Sequence, residues 1–410
     1  MRDRARRAIA ECLHIATMTE EAGCITRRFL TPPVHDVHTH LHGRMEALGM
    51  DVRTDAAGNL RGIWPSASQG HRRLVLGSHI DTVPDAGAYD GVLGVTLALE
   101  WVQLAQETAL PIAIEVIAFS EEEGVRFGLP FIGSRAVAGR FDPSLLGLRD
   151  ADGISVEDAI RAFGLDPYAI EDAQVDRDVI GFVEVHIEQG PVLEADGLSL
   201  AAVSGIVGQT RLSLQFSGHA NHAGTTPMHL RRDALAAASE WITAVETLAS
   251  RTDGLVATVG KIAIEPNGSN VIPGMARVSL DVRHARDSRR EAAVDELVFR
   301  ARSIADRRGI AIELTRQLNE PAVSMDERLT AYLSDAIEAA GFPPKCMSSG
   351  AGHDAMVMAT RVPTAMLFLR SPGGISHHPA ETVREEDVEA SLQVGRKFLE
   401  RLAAEHISSS

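Results

Sequence analysis

The sequence predicts an α/β protein with a mixed, largely parallel sheet, interrupted by an inserted α+β module of order β-α-β-β-α-β. Three observations carry this. From Leu74 to about Ile206, apolar strand-like runs alternate with helix-like segments, the pattern of a layered α/β domain. The clusters rich in His, Asp and Glu follow the C-terminal ends of those strands, where open α/β sheets place their ligands. After Val207 the order changes to that of a split βαβ module of about a hundred residues, and residues 325–410 then return to α/β patterning. The expected organisation is a discontinuous domain of residues 1–207 and 322–410, with a satellite domain at 208–321.

Residues 1–30 read as an amphipathic helix and a loop. Val34 to Leu48 reads as a helix, entered through Pro32-Pro33 and stopped by Gly49. It carries His35, His38, His40 and His42. The string DVHTH within it resembles the opening metal motif of barrel-type amidohydrolases. That motif needs an apolar strand before it, and Thr31-Pro32-Pro33 stands there instead, so a histidine-rich helix face is the simpler reading. Residues 51–60 form a strand, a turn and a second strand. Arg73–Ser78 is a strand, Gly91–Ala105 a buried helix, Ile112–Phe119 a strand running into Ser120-Glu121-Glu122-Glu123-Gly124, and Gly181–Ile187 a strand ending in HIEQG. In the insert, strands are expected at 209–217, 255–264, 276–283 and 310–314, with helices at 233–249 and 288–308. Val362–Leu369 is a further strong strand. No internal repeat or low-complexity segment occurs, apart from the tail Ser408–Ser410.

At 410 residues the chain is too long for one ordinary core. Its 40 Lys plus Arg against 56 Asp plus Glu give a formal charge of -16, which argues against nucleic acid or an anionic membrane as partner. A small anionic substrate needs only one or two local arginines and stays open. The cysteines Cys12, Cys24 and Cys346 form no CxxC pair and are odd in number, as expected for reduced thiols in the cytoplasm. The basic N-terminus is interrupted by Glu11 before any long apolar run, unlike a signal peptide, and no window has the length of a membrane span.

The chemistry centres on Gly77 to Gly94, GSHIDTVPDAGAYDGVLG. His79 ends an apolar strand, Asp81 stands behind it to support the imidazole, and Asp90 sits at a helix entrance. Further candidate ligands end other strands: the acids of SEEEG, His186 in VEVHIEQG, and His377-His378 in GGISHHPAE. Nitrogen and oxygen ligands from five separated segments suit two divalent metal ions sharing one carboxylate. Asp90 is the sensible bridge, with His79 and His186 completing one site and Glu123 and His377 the other. With no thiolate in the set, Zn²⁺ is favoured, with Mn²⁺, Co²⁺ or Ni²⁺ as alternatives. Glu122, beside a ligand but pointing elsewhere if the chain is extended, fits the proton shuttle such a site needs.

These motifs, with GHANHAGTTPM, resemble those of the N-carbamoyl-L-amino acid hydrolase and allantoate amidohydrolase family, within the di-metal aminoacylase and carboxypeptidase superfamily. The likeness runs from about Ile25 to near the end. It implies a di-metal exopeptidase-like catalytic domain, a smaller lid domain that also forms a homodimer interface, and hydrolysis of a ureido or amide C–N bond. His79, Asp90, Glu123, His186 and His377 fall on the family's metal ligands and Glu122 on its general base. The last motif has one His before a polar residue and Pro; here that polar residue is His378. The resemblance also places His222 as the oxyanion-stabilising histidine, with His219 as its neighbour. Asn270 and Arg283 would hold the substrate carboxylate, with Gln209, Gly352 and His353 as further substrate contacts. For His353 a loop-stabilising role is the competing reading. The expected function is a cytoplasmic, metal-dependent amidohydrolase acting on a small carbamoylated carboxylate, allantoate or an N-carbamoyl-L-amino acid. An aminoacylase or dipeptidase on the same scaffold, or a non-catalytic small-molecule binder, are the alternatives.

Overall fold

Four parallel strands supply the frame that collects the candidate ligands. In the computed structural model, which describes residues 1–65, 72–108, 110–176 and 178–408, Ala113–Phe119, Arg73–His79, Val179–Ile187 and Thr364–Leu369 lie side by side in that order. Antiparallel neighbours extend the sheet: Leu60–Trp64 then Asp51–Thr54 beyond Ala113–Phe119, and Leu200–Ile206 beyond Thr364–Leu369. Each parallel strand is buried along nearly its whole length, as a strand covered on both faces must be. The register sets His79 opposite Phe119 and Phe368 opposite His186, so the strands finish at one level. The chain segments that leave that level carry the acids and histidines.

The helix Val92–Thr108 is apolar on almost every side and packs on the strands Arg73–His79 and Val179–Ile187. Its seat is close: a Cβ on Gly94 would fall 2.2 Å from the Val185 carbonyl oxygen. The helices Arg2–Ala16 and Glu385–Ser408 pack against it in turn, and burial of side chains such as Leu97, Trp101 and Phe398 stabilises the layer by about 1.5–3 kcal/mol each. The four histidines of the DVHTH region lie on a helix, Pro32–Ala47. No helix among the described residues is long and apolar enough to cross a membrane. Of the serine tail, Ser409 and Ser410 lie outside the described residues.

The chain divides into two compact units, Met1–Ser204 with Ser324–Ser410, and Gly205–Val323. The second has its own antiparallel sheet, ordered Ile262–Glu265, Met275–His284, Gly208–Ser217, Ala311–Glu320. The helices Ala234–Arg251 and Asp287–Arg308 pack on it around Trp241, whose Nε1 donates to the Leu297 carbonyl at 2.9 Å. Asp233 caps the first helix by accepting the Ala236 N–H. Two strands differ from expectation. The run 255–264 is broken into Val256–Thr258 and Ile262–Glu265, because three residues, 259–261, stand opposite two on Met275–His284; the extra residue makes a bulge. The last strand continues past Leu314 to Glu320. Those added residues are mostly polar and belong to an edge strand paired on one side, so hydrophobic alternation does not announce them.

Candidate metal centre

The centre is built at the shared level of the parallel strands. His79 is the last residue of its strand and His186 the last but one of its own. Their Nδ1 atoms lie 3.0 Å from the Asp81 carbonyl and 2.9 Å from the Ile187 carbonyl. Each Nδ1 therefore carries the proton and each Nε2 is left as a lone pair. Both Nε2 atoms face Asp90 Oδ1, at 3.4 and 3.1 Å, and they stand 3.5 Å from each other. Gly91 makes this approach possible: its φ is +65°, and a Cβ there would strike the His79 ring at 2.5 Å.

The other Asp90 oxygen faces a second group. His377 Nε2 lies 3.3 Å from Asp90 Oδ2 and 3.2 Å from Glu123 Oε1. Ligating atoms of His79, Asp90 and His186 fall within 4.8 Å of one another, as do those of Asp90, Glu123 and His377, and those of His79, Glu122 and Glu123. His378 turns away; its Nδ1 accepts the Ala380 N–H at 3.0 Å.

The donor set fits divalent metal ions. Asp90 Oδ1 is buried and has no hydrogen-bond donor among the described residues, while two imidazole lone pairs point at it. A divalent ion between them would satisfy all three atoms. Without an ion the same groups pair as imidazolium and carboxylate. Burial opposes charge on His79, yet Asp81 and Asp90 hold its pKa well above the ordinary imidazole value. Burial likewise opposes ionised Asp90, but His186, His377 and His79 hold it well below the usual carboxylate range. Asp90 and Glu123, with three imidazoles and no thiolate, make a nitrogen and oxygen donor set suited to divalent ions.

Glu122 is 8% exposed. Burial pushes its pKa well above the ordinary carboxylate value; His79 works against the shift, and Glu123, Asp354 and Asp81 add to it. The chain at Glu121–Glu123 is bent rather than extended, so Glu122 and Glu123 both reach towards His79. Asp81 explains the bend. Its Oδ1 accepts the Glu122 N–H at 2.9 Å and its Oδ2 the Glu123 N–H at 3.0 Å. The nearest support for the His79 ring is thus the Asp81 carbonyl, with the carboxylate at 3.4 Å; the Asp81 side chain mainly shapes the acid loop. Asp81 thus stands behind the His79 ring and also holds the loop amides, which spacing does not show.

His353 is 1% exposed, with Nε2 2.9 Å from Ser349 Oγ and its ring 4.5 Å from that of His186. Gly352 packs beneath Phe131, where a Cβ would meet the ring at 3.0 Å. In the second unit the remaining predicted residues form two groups. His222 pairs with Val271 across a short ladder, and the Ala223 N–H donates to the Asn270 carbonyl, so His222 and Asn270 are neighbours. Gln209 and Arg283 stand opposite each other in register. His219 is exposed in the irregular segment before His222.

Four participants escaped the sequence reading although they sit inside or beside quoted motifs. Gln189 Nε2 donates to Asp90 Oδ2 at 2.8 Å, Ser376 Oγ donates to the same oxygen at 2.7 Å, and Glu381 accepts the Asp90 N–H at 3.0 Å. Asp281 accepts from Arg283 Nε at 2.8 Å and from Arg211 Nε at 2.9 Å. HIEQG, GISHHPAE and SLDVRH contain all four, so the signal was their position in these motifs.

Residues 75–403 match the family described as Peptidase family M20/M25/M40. An allantoate deiminase of Arabidopsis thaliana is 38% identical, with 96% of this chain and 81% of that protein covered. An N-carbamoyl-L-amino acid amidohydrolase of Geobacillus stearothermophilus is 38% identical, with 92% of each covered. Among solved structures, an amidase of the hydantoinase/carbamoylase family from Burkholderia multivorans superposes with a TM-score of 0.91 at 30% identity, covering 97% of each chain. The chain belongs to peptidase family M20/M25/M40 and, within it, to the group of N-carbamoyl-L-amino acid hydrolases and allantoate amidohydrolases.

Proposed function

We propose that the protein is a metal-dependent amidohydrolase that cleaves the ureido C–N bond of a small carbamoylated carboxylate, allantoate or an N-carbamoyl-L-amino acid. The observation that carries this reading is the single carboxylate, Asp90, with one oxygen towards His79 and His186 and the other towards Glu123 and His377, beside the buried acid Glu122. His79, Asp90, Glu123, His186 and His377 would hold two divalent ions, Zn²⁺ by preference, which would lower the pKa of a water and polarise the carbonyl. Glu122 takes the proton of the attacking water and returns it to the leaving nitrogen. The carbamate released breaks down to carbon dioxide and ammonia.

We assign the substrate carboxylate to Arg283 and Asn270. A guanidinium offers a planar fork to a planar carboxylate, and Asp281 braces that fork along the Nε edge. His222 is assigned to the developing oxyanion, and Gln209, Gly352 and His353 to further substrate contacts. Unit 208–321 would act as lid and homodimer interface, and the enzyme would work in the cytoplasm.

The test is ammonia and amine release from allantoate, a series of N-carbamoyl-L-amino acids, and dipeptides, with and without a chelator. Turnover of a ureido substrate, abolished by chelation and restored by Zn²⁺ or Mn²⁺, is expected. Turnover of dipeptides alone would move the chain to a peptidase reading, and no turnover by metal-loaded protein would sink the proposal.

A further inference from the structure

The carboxylate that unites the centre is itself gripped by a residue outside the ligand set. Glu381 is 5% exposed and lies four residues after His377. Its Oε1 accepts the Tyr89 and Asp90 N–H groups at 3.0 Å each. Its Oε2 lies 3.0 Å from Ser376 Oγ, which donates to Asp90 Oδ2 at 2.7 Å. One side chain therefore holds the main chain of the bridge directly and shares the single Ser376 hydroxyl proton with its carboxylate. The fit is tight: a Cβ on Gly87 would fall 2.3 Å from Glu381 Cβ and 2.4 Å from its Oε1. The same turn carries His377 at φ +56°, unusual for a residue with a Cβ, and the Glu381 N–H closes it onto the His378 carbonyl at 2.9 Å.

We propose that Glu381 is the positioning residue of the metal centre. By fixing the Asp90 main chain and the Ser376 hydroxyl together, it aims Asp90 Oδ1 at His79 and His186 and Oδ2 at Glu123 and His377. The inference rests on the two-ion reading above. A carboxylate free to rotate would turn both oxygens onto one ion and leave the other short of a ligand. Glu381 touches no reacting atom; it acts through Asp90. Gln at 381 preserves the arrangement, because its Oε1 accepts the two amides while its Nε2 donates to Ser376 Oγ, whose proton then goes to Asp90. Ala at 381 leaves two buried N–H groups without their acceptor and frees Ser376.

The experiment titrates chelator-stripped full-length protein with Mn²⁺ alone, and with Zn²⁺ alone, by calorimetry, and measures kcat and KM on whichever ureido substrate the wild type turns over. For Glu381→Ala the second ion should bind about 10- to 100-fold more weakly, and kcat should fall while KM changes by less than about 3-fold. Glu381→Gln should recover both values. Leu333→Ala, a core truncation in the helix Glu327–Ala339, serves as the control for lost stability and should keep the wild-type isotherm. A Glu381→Ala isotherm with two wild-type affinities overturns the proposal, as does a Leu333→Ala protein showing the same loss. If Glu381→Ala is not recovered folded, Ser376→Ala decides: weaker binding of the second ion supports the proposal, and an unchanged isotherm overturns it. Wild-type protein that binds no ion would remove the two-ion reading itself.

Discussion

The chain has two regions crowded with histidine, and they behave oppositely. On the helix Pro32–Ala47, His35 stacks on Phe163 at 3.7 Å and 9°, and His38 meets the same ring edge-on at 5.4 Å. His40 Nε2 reaches Glu11 at 3.0 Å, and His42 faces Glu46 one turn on at 3.3 Å. The rings are taken up by different partners: His35 and His38 by Phe163, His40 by Glu11 and His42 by Glu46. Among the described residues no trio of ligating side chains forms there. In the centre, His79, His186 and His377 come from separate segments, yet all three Nε2 atoms converge on one carboxylate. The number of imidazoles does not make a metal site. Convergence of unprotonated nitrogens on shared negative charge does, and that requires strand ends brought to one level by a sheet.

The contrast can be broken by substitution, and the largest effect belongs to the bridge. Asp90→Ala should lose both ions in a metal analysis and drop hydrolysis to background; full metal content would show that Asp90 is not shared. Next is Glu122→Gln. It should keep its metal stoichiometry while kcat falls about 10²- to 10⁴-fold, so an active variant removes Glu122 from proton transfer.

On the helix side the expected effects are on stability alone. Burial, helped by His35 and His42, lowers the His38 pKa to about 4, below its value of about 6.5 in an unfolded chain. The folded state therefore favours neutral His38. Its contribution is fully present above about pH 6.5 and is lost as pH falls towards 4, by up to about 3 kcal/mol. Urea unfolding of His38→Leu at pH 7 and pH 4.5 should show a smaller loss between the two than wild type does; an equal loss would clear His38 of any part in acid sensitivity. The smallest effect belongs to His42, paired with Glu46 at the surface. His42→Ala should change stability by no more than about 0.5 kcal/mol and leave metal content untouched, as thermal melts and metal analysis would report.

Much of this protein is legible in its residues. Strand-ending motifs such as GSHID and VEVHIEQG are local. An apolar run fixes the strand, and the polar residue that stops it marks the ligand end of the sheet. The helical reading of the DVHTH segment follows just as locally, from two prolines and a glycine. The break at 259–261 and the extension to Glu320 were not legible, since both depend on what a partner strand offers.

Tertiary structure decided the rest, because it concerns atoms far apart in the chain. Asp81 holds the amides of Glu122 and Glu123 across some forty residues, and Glu381 reaches Asp90 across 291. No spacing rule anticipates such bonds; they exist only once the sheet has set the loops side by side. The choice between His377 and His378 is of the same kind. The motif resemblance puts His377 on the ligand position; the physical reason is in the fold, where a left-handed backbone at His377 turns one ring to Asp90 and the other to the Ala380 amide. The sequence determined which side chains were available for a metal site, through local pattern. The fold alone determined which nitrogen and which oxygen face each other, because direction at a site is set by packing and long-range hydrogen bonds.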